Sequence, residues 1–344
     1  MKRVAVVLVV LLAVLGGGAL VYQQKERARR PDNVGTLGRT LFKDLKAADI
    51  AAIKIVEPSV SPNATLTLER KDERWVIAER AGFPADLSKV REFVLKVIGL
   101  KVGQSEPLGE KDRARLNLDA SGTRVEFKGA DGKELSAFVV GRKYFKREVE
   151  NPDKAIPDGR FLGLPGETGT AYLVADPLTQ ATVKTAEWID RASFQVEKVK
   201  TLQVRYPGGE AWRIDRPADN AEWKLAGAKP GEKLDVSRAN AATYSLQLLE
   251  LADVAPKDAK DTGLEQPILV DATTLEGASY AIKVGKLAGE NYHVSYTASG
   301  LKPDAKDAER VKLLSQYVLL IPKSKLEDTL KKRTELLEKQ QQKK

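Results

Sequence analysis

The chain has a single histidine, His293, in Asn-Tyr-His-Val-Ser-Tyr-Thr at 291–297. An imidazole is the first side chain to weigh for acid–base or metal chemistry at neutral pH. Strand alternation places Tyr292, Val294 and Tyr296 on one face and His293, Ser295 and Thr297 on the other. Metal and triad chemistry both require partners, and the sequence offers neither a second His nor any Cys. His293 therefore reads as a structural residue. Two acidic–arginine pairs recur, Glu69-Arg70 and Asp215-Arg216, and could bind a polar ligand. Neighbours on a strand point to opposite faces, however, so neither pair converges on one atom. The spaced glycines of Gly-Leu-Pro-Gly-Glu-Thr-Gly at 163–169 precede a strand and lack the pattern of a dinucleotide loop, so they read as a turn. Nucleophile-elbow, phosphate-loop and His-Glu-x-x-His motifs are missing. Carboxylates are plentiful, but none forms an acid and base pair isolated within an apolar run. The residues thus name no catalytic, cofactor or metal site, and the expectation is a protein that is not an enzyme.

The absence of Cys also removes disulfides, thiol nucleophiles and an N-terminal lipid-modified Cys. With 42% hydrophobic and 31% charged residues, the chain can bury a sizeable core. Net charge is +9; subtracting Lys2 and Arg3 leaves 9 − 2 = +7 beyond the N-terminal apolar run. That surplus suits anionic partners such as lipid headgroups or envelope polymers, while interleaved charge also serves solubility. No interleaving of aromatic and basic residues of the nucleic-acid-binding kind is read, so nucleic acid is not an expected partner.

The elements that would carry any site are written twice. Thr-Leu-Thr-Leu-Glu-Arg at 65–70 and Ala-Trp-Arg-Ile-Asp-Arg at 211–216 are alternating strands, each followed by a polar turn and a second short strand headed by Trp75 or Trp223. Both indoles read as buried core anchors. Asp86 and Asp235 then precede apolar residues at helical spacing: Leu87, Val90, Val94, Val97 and Leu100 against Val236, Ala239, Thr243, Leu246 and Leu249, a shift of 149 at every position. Strands at 49–56 and 198–205 correspond with the same shift. Asp131-Gly132 signals a hairpin between 123–128 and 134–140. Strands end at Gly141 in Ala-Phe-Val-Val-Gly and at Gly285 in Ala-Ile-Lys-Val-Gly, and Leu118 and Gly263-Leu264 lead into this region. Each half closes with a Tyr-containing strand before a Pro at a helix start, at 171–177 and 316–322. The shift changes only across loops, and far exceeds a solenoid period, so the expectation is two tandem, duplicated α+β domains with mainly antiparallel sheets, at 42–191 and 192–334. Loops 148–159 and 301–309 differ most between the halves and are where contacts with a partner are expected. Residues 335–344 read as a fraying polar tail that continues the last helix.

At the N-terminus, residues 4–22 are 19 consecutive residues without a charge. As a helix they extend roughly 28 Å, close to the ~30 Å hydrocarbon core of a bilayer. Within 1–22 the reading is an uncleaved transmembrane anchor, followed by a tether at 23–41; a cleaved signal peptide is the alternative, with Gly17 and Ala19 as small residues at a cleavage site.

An N-terminal anchor, a strand–turn–Trp–strand unit, the helix start Pro84-Ala85-Asp86 with Val90, strands with Val140-Gly141 and Val284-Gly285, and a Tyr-containing strand before a helix together resemble a bacterial family, domain of unknown function 4340. The second half has Lys233-Leu234-Asp235 in place of Pro-Ala-Asp, which marks that motif as helix capping rather than a site. Members are commonly encoded beside ABC transporters of the gliding-motility type. The resemblance implies a single-pass protein of the inner membrane, with its bulk in the periplasm, acting as a scaffold for ABC transporter membrane subunits. A glycan or anionic-polymer binding module is the rival expectation, and a carboxylate hydrolase a more distant one.

Overall fold

The computed structural model describes residues 37–338 apart from Glu73, 148–154, Asp190, 192–194, Leu248 and 303–307. The chain is mixed α+β, with two antiparallel sheets and few helices. Period-two alternation becomes strands because each apolar face finds cover. In β1 (Ala52–Val56) Ile53 and Ile55 are fully buried, and β2 (Thr65–Lys71) buries Leu66 and Leu68 beside them. β3 (Arg74–Ile77) and the two-residue β4 (Phe83–Pro84) follow, then helix α1 (Leu87–Ile98), β5 (Gln104–Pro107), the short α2 (Glu110–Arg115), β6 (Thr123–Lys128), β7 (Glu134–Arg147), β8 (Ala155–Gly163) and β9 (Thr170–Val174). The rest of the chain forms β10 (Val199–Arg205), β11 (Ala211–Asp215), β12 (Lys224–Leu225), α3 (Val236–Tyr244), β13 (Asp253–Val254), β14 (Ile268–Thr274), β15 (Ser279–Ala288), β16 (Asn291–Ser299), α4 (Ala308–Leu314), β17 (Leu319–Pro322) and α5 (Lys323–Leu326).

The first sheet runs β4-β3-β2-β1-β6-β7-β8-β9-β5 and the second β12-β11-β10-β14-β15-β16-β17-β13. Replacing each strand of the first by its counterpart in chain order, and omitting β4, reproduces the second order. By proximity the chain forms two compact units: Leu87–Val183 with the residues up to Arg70, and Lys71–Asp86 with Lys184 onward.

In the first unit α1 buries Val90, Phe93, Val94 and Val97. Phe93 stacks on Phe127 at 6.2 Å, Phe127 on Phe138 at 6.3 Å, and Phe138 meets Phe42 at 5.0 Å. Such pairs add about 0.5–1.5 kcal/mol each beyond their area burial. In the second unit Asp235 caps α3, its side chain accepting from the Arg238 N–H at 3.2 Å. Fully buried Ala239 and Ala242 face the core there, and the Trp223 indole donates to Asn240 at 2.9 Å.

Several expectations are corrected. Trp75 is only half-buried, although the Ala85 N–H donates to its carbonyl at 2.8 Å, whereas Trp188 and Trp212 join Trp223 in the core. Leu87 and Val236 are exposed; each is the first residue of its helix, and helical side chains lean back past the N-terminal end. β7 and β15 run through Gly141 and Gly285 instead of ending there. A Cβ at either glycine would strike a backbone carbonyl oxygen, that of Leu116 or Thr262, and the next residue's N–H donates to that same carbonyl at 2.7 Å. No helix follows Pro177, since Leu178 takes a left-handed φ of 46° that a right-handed helix cannot continue. As far as Glu338 the tail does not prolong a helix: Arg333–Leu336 is a 3-10 turn, Leu336 is fully buried and Leu337 bridges to Leu234, while 339–344 lie outside the described residues. The tether ends sooner than expected, because Gly38 and Leu41 donate to the Val102 and Leu100 carbonyls at 2.8 and 3.0 Å. Of the two variable loops, 148–154 and 303–307 lie outside the described residues, while 155–159 belong to β8 and 308–309 to α4. The apolar run 4–22 also lies outside them; among the described residues no helix is long and apolar enough to cross a membrane.

Candidate functional site

His293 lies on β16, 7% exposed, with Nδ1 3.0 Å from the Lys286 carbonyl oxygen. A carbonyl can only accept, so Nδ1 carries the proton, and the ring fastens the bulge of β15 to its neighbour strand. The side chains of the second acidic–arginine pair are engaged within the fold. The Arg216 guanidinium stacks 4.6 Å from the Trp223 ring centre and donates to the Val199 carbonyl at 2.9 Å and to Asp219 at 2.6 Å. Asp215 accepts from Arg213 at 3.2 Å. What recurs is backbone register, since the N–H groups of Arg70 and Arg216 donate to the Ala51 and Lys200 carbonyls at 2.8 and 2.9 Å.

The glycine-spaced segment 163–169 is a turn, and it supplies one side chain that sequence reasoning missed. Glu167 accepts a hydrogen bond from the Tyr172 hydroxyl, and Arg39 bonds to Glu167 at 3.2 Å and to the Tyr172 oxygen at 2.9 Å. The Tyr172 hydroxyl and the Arg39 charge hold the Glu167 carboxyl below its usual pKa, while burial and the carboxylate push the Tyr172 phenol up. A phenol displaced upward is a poor base at neutral pH. The cluster therefore braces the start of the fold, and no motif in the sequence pairs residues 128 positions apart.

A cavity of about 420 Å³ in the second unit is lined in part by Glu197, Lys198, Glu276, Tyr280, Lys302 and Val311. Its charges answer one another, Lys198 Nζ lying 2.7 Å from Glu276, instead of converging on a point where a reacting atom could sit. Among the described residues, every carboxylate whose pKa is displaced is shifted downward, as for Glu126, Glu167, Glu210, Glu232 and Glu276. A general acid needs the opposite shift. No group of three or more His, Asp or Glu is placed to hold a metal among the described residues.

The surface that stands out is the outer part of β7. Arg142-Lys143-Tyr144-Phe145-Lys146-Arg147 interleaves aromatic and basic residues, an exception to the reading of the sequence given above. Arg142 and Lys143 are exposed, and Tyr144 and Phe145 are 39% and 46% exposed. Tyr144 rests edge-on against Phe161 at 6.3 Å. β8 continues alongside to Ala155–Arg147, with register shifts near Lys143 and between Tyr144 and Phe145. The signal was present in the sequence as two aromatics flanked by paired cations, but the strand was expected to stop at Gly141.

No curated protein and no solved structure matches this chain. Residues 75–267 match the family described as "Domain of unknown function (DUF4340)". The match runs from the first recurring tryptophan, through α1 and strands β5 to β13, to the residue before β14, and covers more than half of the 344 residues. On that match, and with the helix start at Asp86 and the Val-Gly strand inside it, the chain belongs to the DUF4340 family.

Proposed function

We propose that this protein is a non-enzymatic scaffold, anchored in the inner membrane by residues 4–22, whose two periplasmic domains descend from one and hold subunits of an ABC-type transport assembly of the gliding-motility kind. The observation that carries the reading is the recurrence of one plan in two sheets. Beyond strand order, residues 87–100 and their counterparts 149 positions on share the same burial state at every described position except Glu92 and Ala241. Burial agreement of this kind favours common descent over coincidence, because the phase of a helix on its sheet is free to drift otherwise. The paired carbonyl contacts of Gly141 and Gly285 add to it. Two related surfaces on one chain raise avidity for a paired or elongated partner through effective concentration. The transporter as partner, and the periplasmic side, come from the family resemblance together with the uncharged 19-residue run.

A second reading, binding of an anionic envelope polymer, is favoured by the +7 charge beyond the N-terminal run. It differs in requiring affinity that falls steeply with salt. Photocrosslinking of the protein in its native membrane tests the first reading. Recovery of ABC transporter membrane subunits is expected. Recovery of none, together with a hydrolase activity lost on one carboxylate substitution, would overturn it.

A further inference from the structure

β7 passes Gly141 by six residues, to Arg147, whereas β15 passes the matching Gly285 by three, to Ala288. The second sheet closes without the extra length, so folding of this plan does not require it. β6 pairs with β7 only as far as Val140. The Arg142 N–H is taken by the Leu116 carbonyl, and from Lys143 to Arg147 β8 is the one strand neighbour among the described residues. The other edge of this stretch therefore presents backbone donors and acceptors of the kind that a further strand satisfies. Edge strands are usually guarded by cations or proline, and cations are present here. Two adjacent exposed aromatics are the opposite of a guard, since they offer apolar cover to whatever pairs beside them.

We propose that the free edge of β7 from Lys143 to Arg147 receives an extended, acidic segment of a partner protein as an added strand. This rests on the scaffolding role proposed above and names a surface for it. Arg142, Lys143, Lys146 and Arg147 make four cations in six residues with no carboxylate among them, so the complementary strand is acidic. A second copy of the same edge would set cation against cation in an antiparallel pair, which disfavours self-pairing.

The test uses the full chain in detergent micelles and a short fluorescent peptide of alternating aspartate and valine, followed by fluorescence anisotropy. Methylating the peptide's backbone nitrogens along one edge is expected to abolish binding, and along the other edge to leave it. Lys143→Glu, and separately the pair Tyr144→Ser with Phe145→Ser, are each expected to weaken binding roughly tenfold, as loss of a few cross-strand contacts implies. Both sites are exposed, so unchanged melting curves will show that the variants fold. Absence of binding, or binding indifferent to which peptide edge is methylated, overturns strand addition. Equal affinity for a control peptide in which lysine replaces each aspartate overturns the charge argument, and binding transferred to anionic vesicles alone points to a lipid surface instead. If transporter subunits still crosslink while the peptide fails, the scaffold reading stands and this edge is not its contact.

Discussion

Trp188 is wholly buried next to Thr185–Glu187, a 3-10 turn, and its carbonyl accepts the Asp86 N–H at 2.7 Å. Truncating it to alanine is expected to cost about 3–5 kcal/mol, against a typical total of about 5–15 kcal/mol. Trp75→Ala, at a half-buried site, should cost clearly less. Urea denaturation of the two variants compares them, and equal losses would contradict this ranking of the indoles. Recurrence in the sequence singles out Trp75 and Trp223. Trp188 lies in Thr-Ala-Glu-Trp-Ile-Asp, where nothing alternates, and its Asp86 partner is about a hundred residues away in the chain. The strand that carries His293 was readable from its period-two alternation. The Arg39–Glu167–Tyr172 cluster was not, since its members are joined only by the folded chain.

The strands were legible wherever one face meets the core and the other does not, as in β1 with its buried Ile53 and Ile55. The Val-Gly motif was visible but misjudged. Glycine reads as a stop in a strand pattern, yet here it lets a crossing carbonyl approach the strand backbone, at Leu116 for Gly141 and at Thr262 for Gly285. Adding a methyl group at either position forces the strand or the crossing loop to move. Gly141→Ala and Gly285→Ala are each expected to destabilise by about 1–3 kcal/mol, the usual range for overpacking. Gly166→Ala, where nothing lies within 4 Å of the new carbon, should be nearly neutral. Thermal melts of the three variants decide the matter; a loss at Gly166 equal to the others would show that generic glycine effects dominate. The helices behaved similarly: the faces of α1 and α3 were readable from spacing, whereas exposure of Leu87 and Val236 follows from where each helix ends.

For the molecule as a whole, the 149-residue shift makes an α+β chain with two sheets legible in the sequence, because strand spacing and helix phase are both periodic signals. Assignment of Lys71–Asp86 to the second compact unit was not readable, since membership of a unit is a matter of spatial neighbours and not of sequence order. The proposed anchor makes a prediction at this scale: the intact mass of the mature protein, extracted from membranes, should include residues 4–22. A mass corresponding to a start near Leu20 would instead establish a cleaved signal peptide. The clasp around Arg39 has a mechanical meaning as well. A pull applied to the chain ahead of Leu37 is borne first by the Gly38–Val102, Arg39–Val102 and Leu41–Leu100 backbone bonds and by the Arg39 ion pair with Glu167, before it reaches β1. Those few bonds form a fuse in series with the sheet, so that tension on the leading segment is spent in peeling off four residues while the core behind them stays folded.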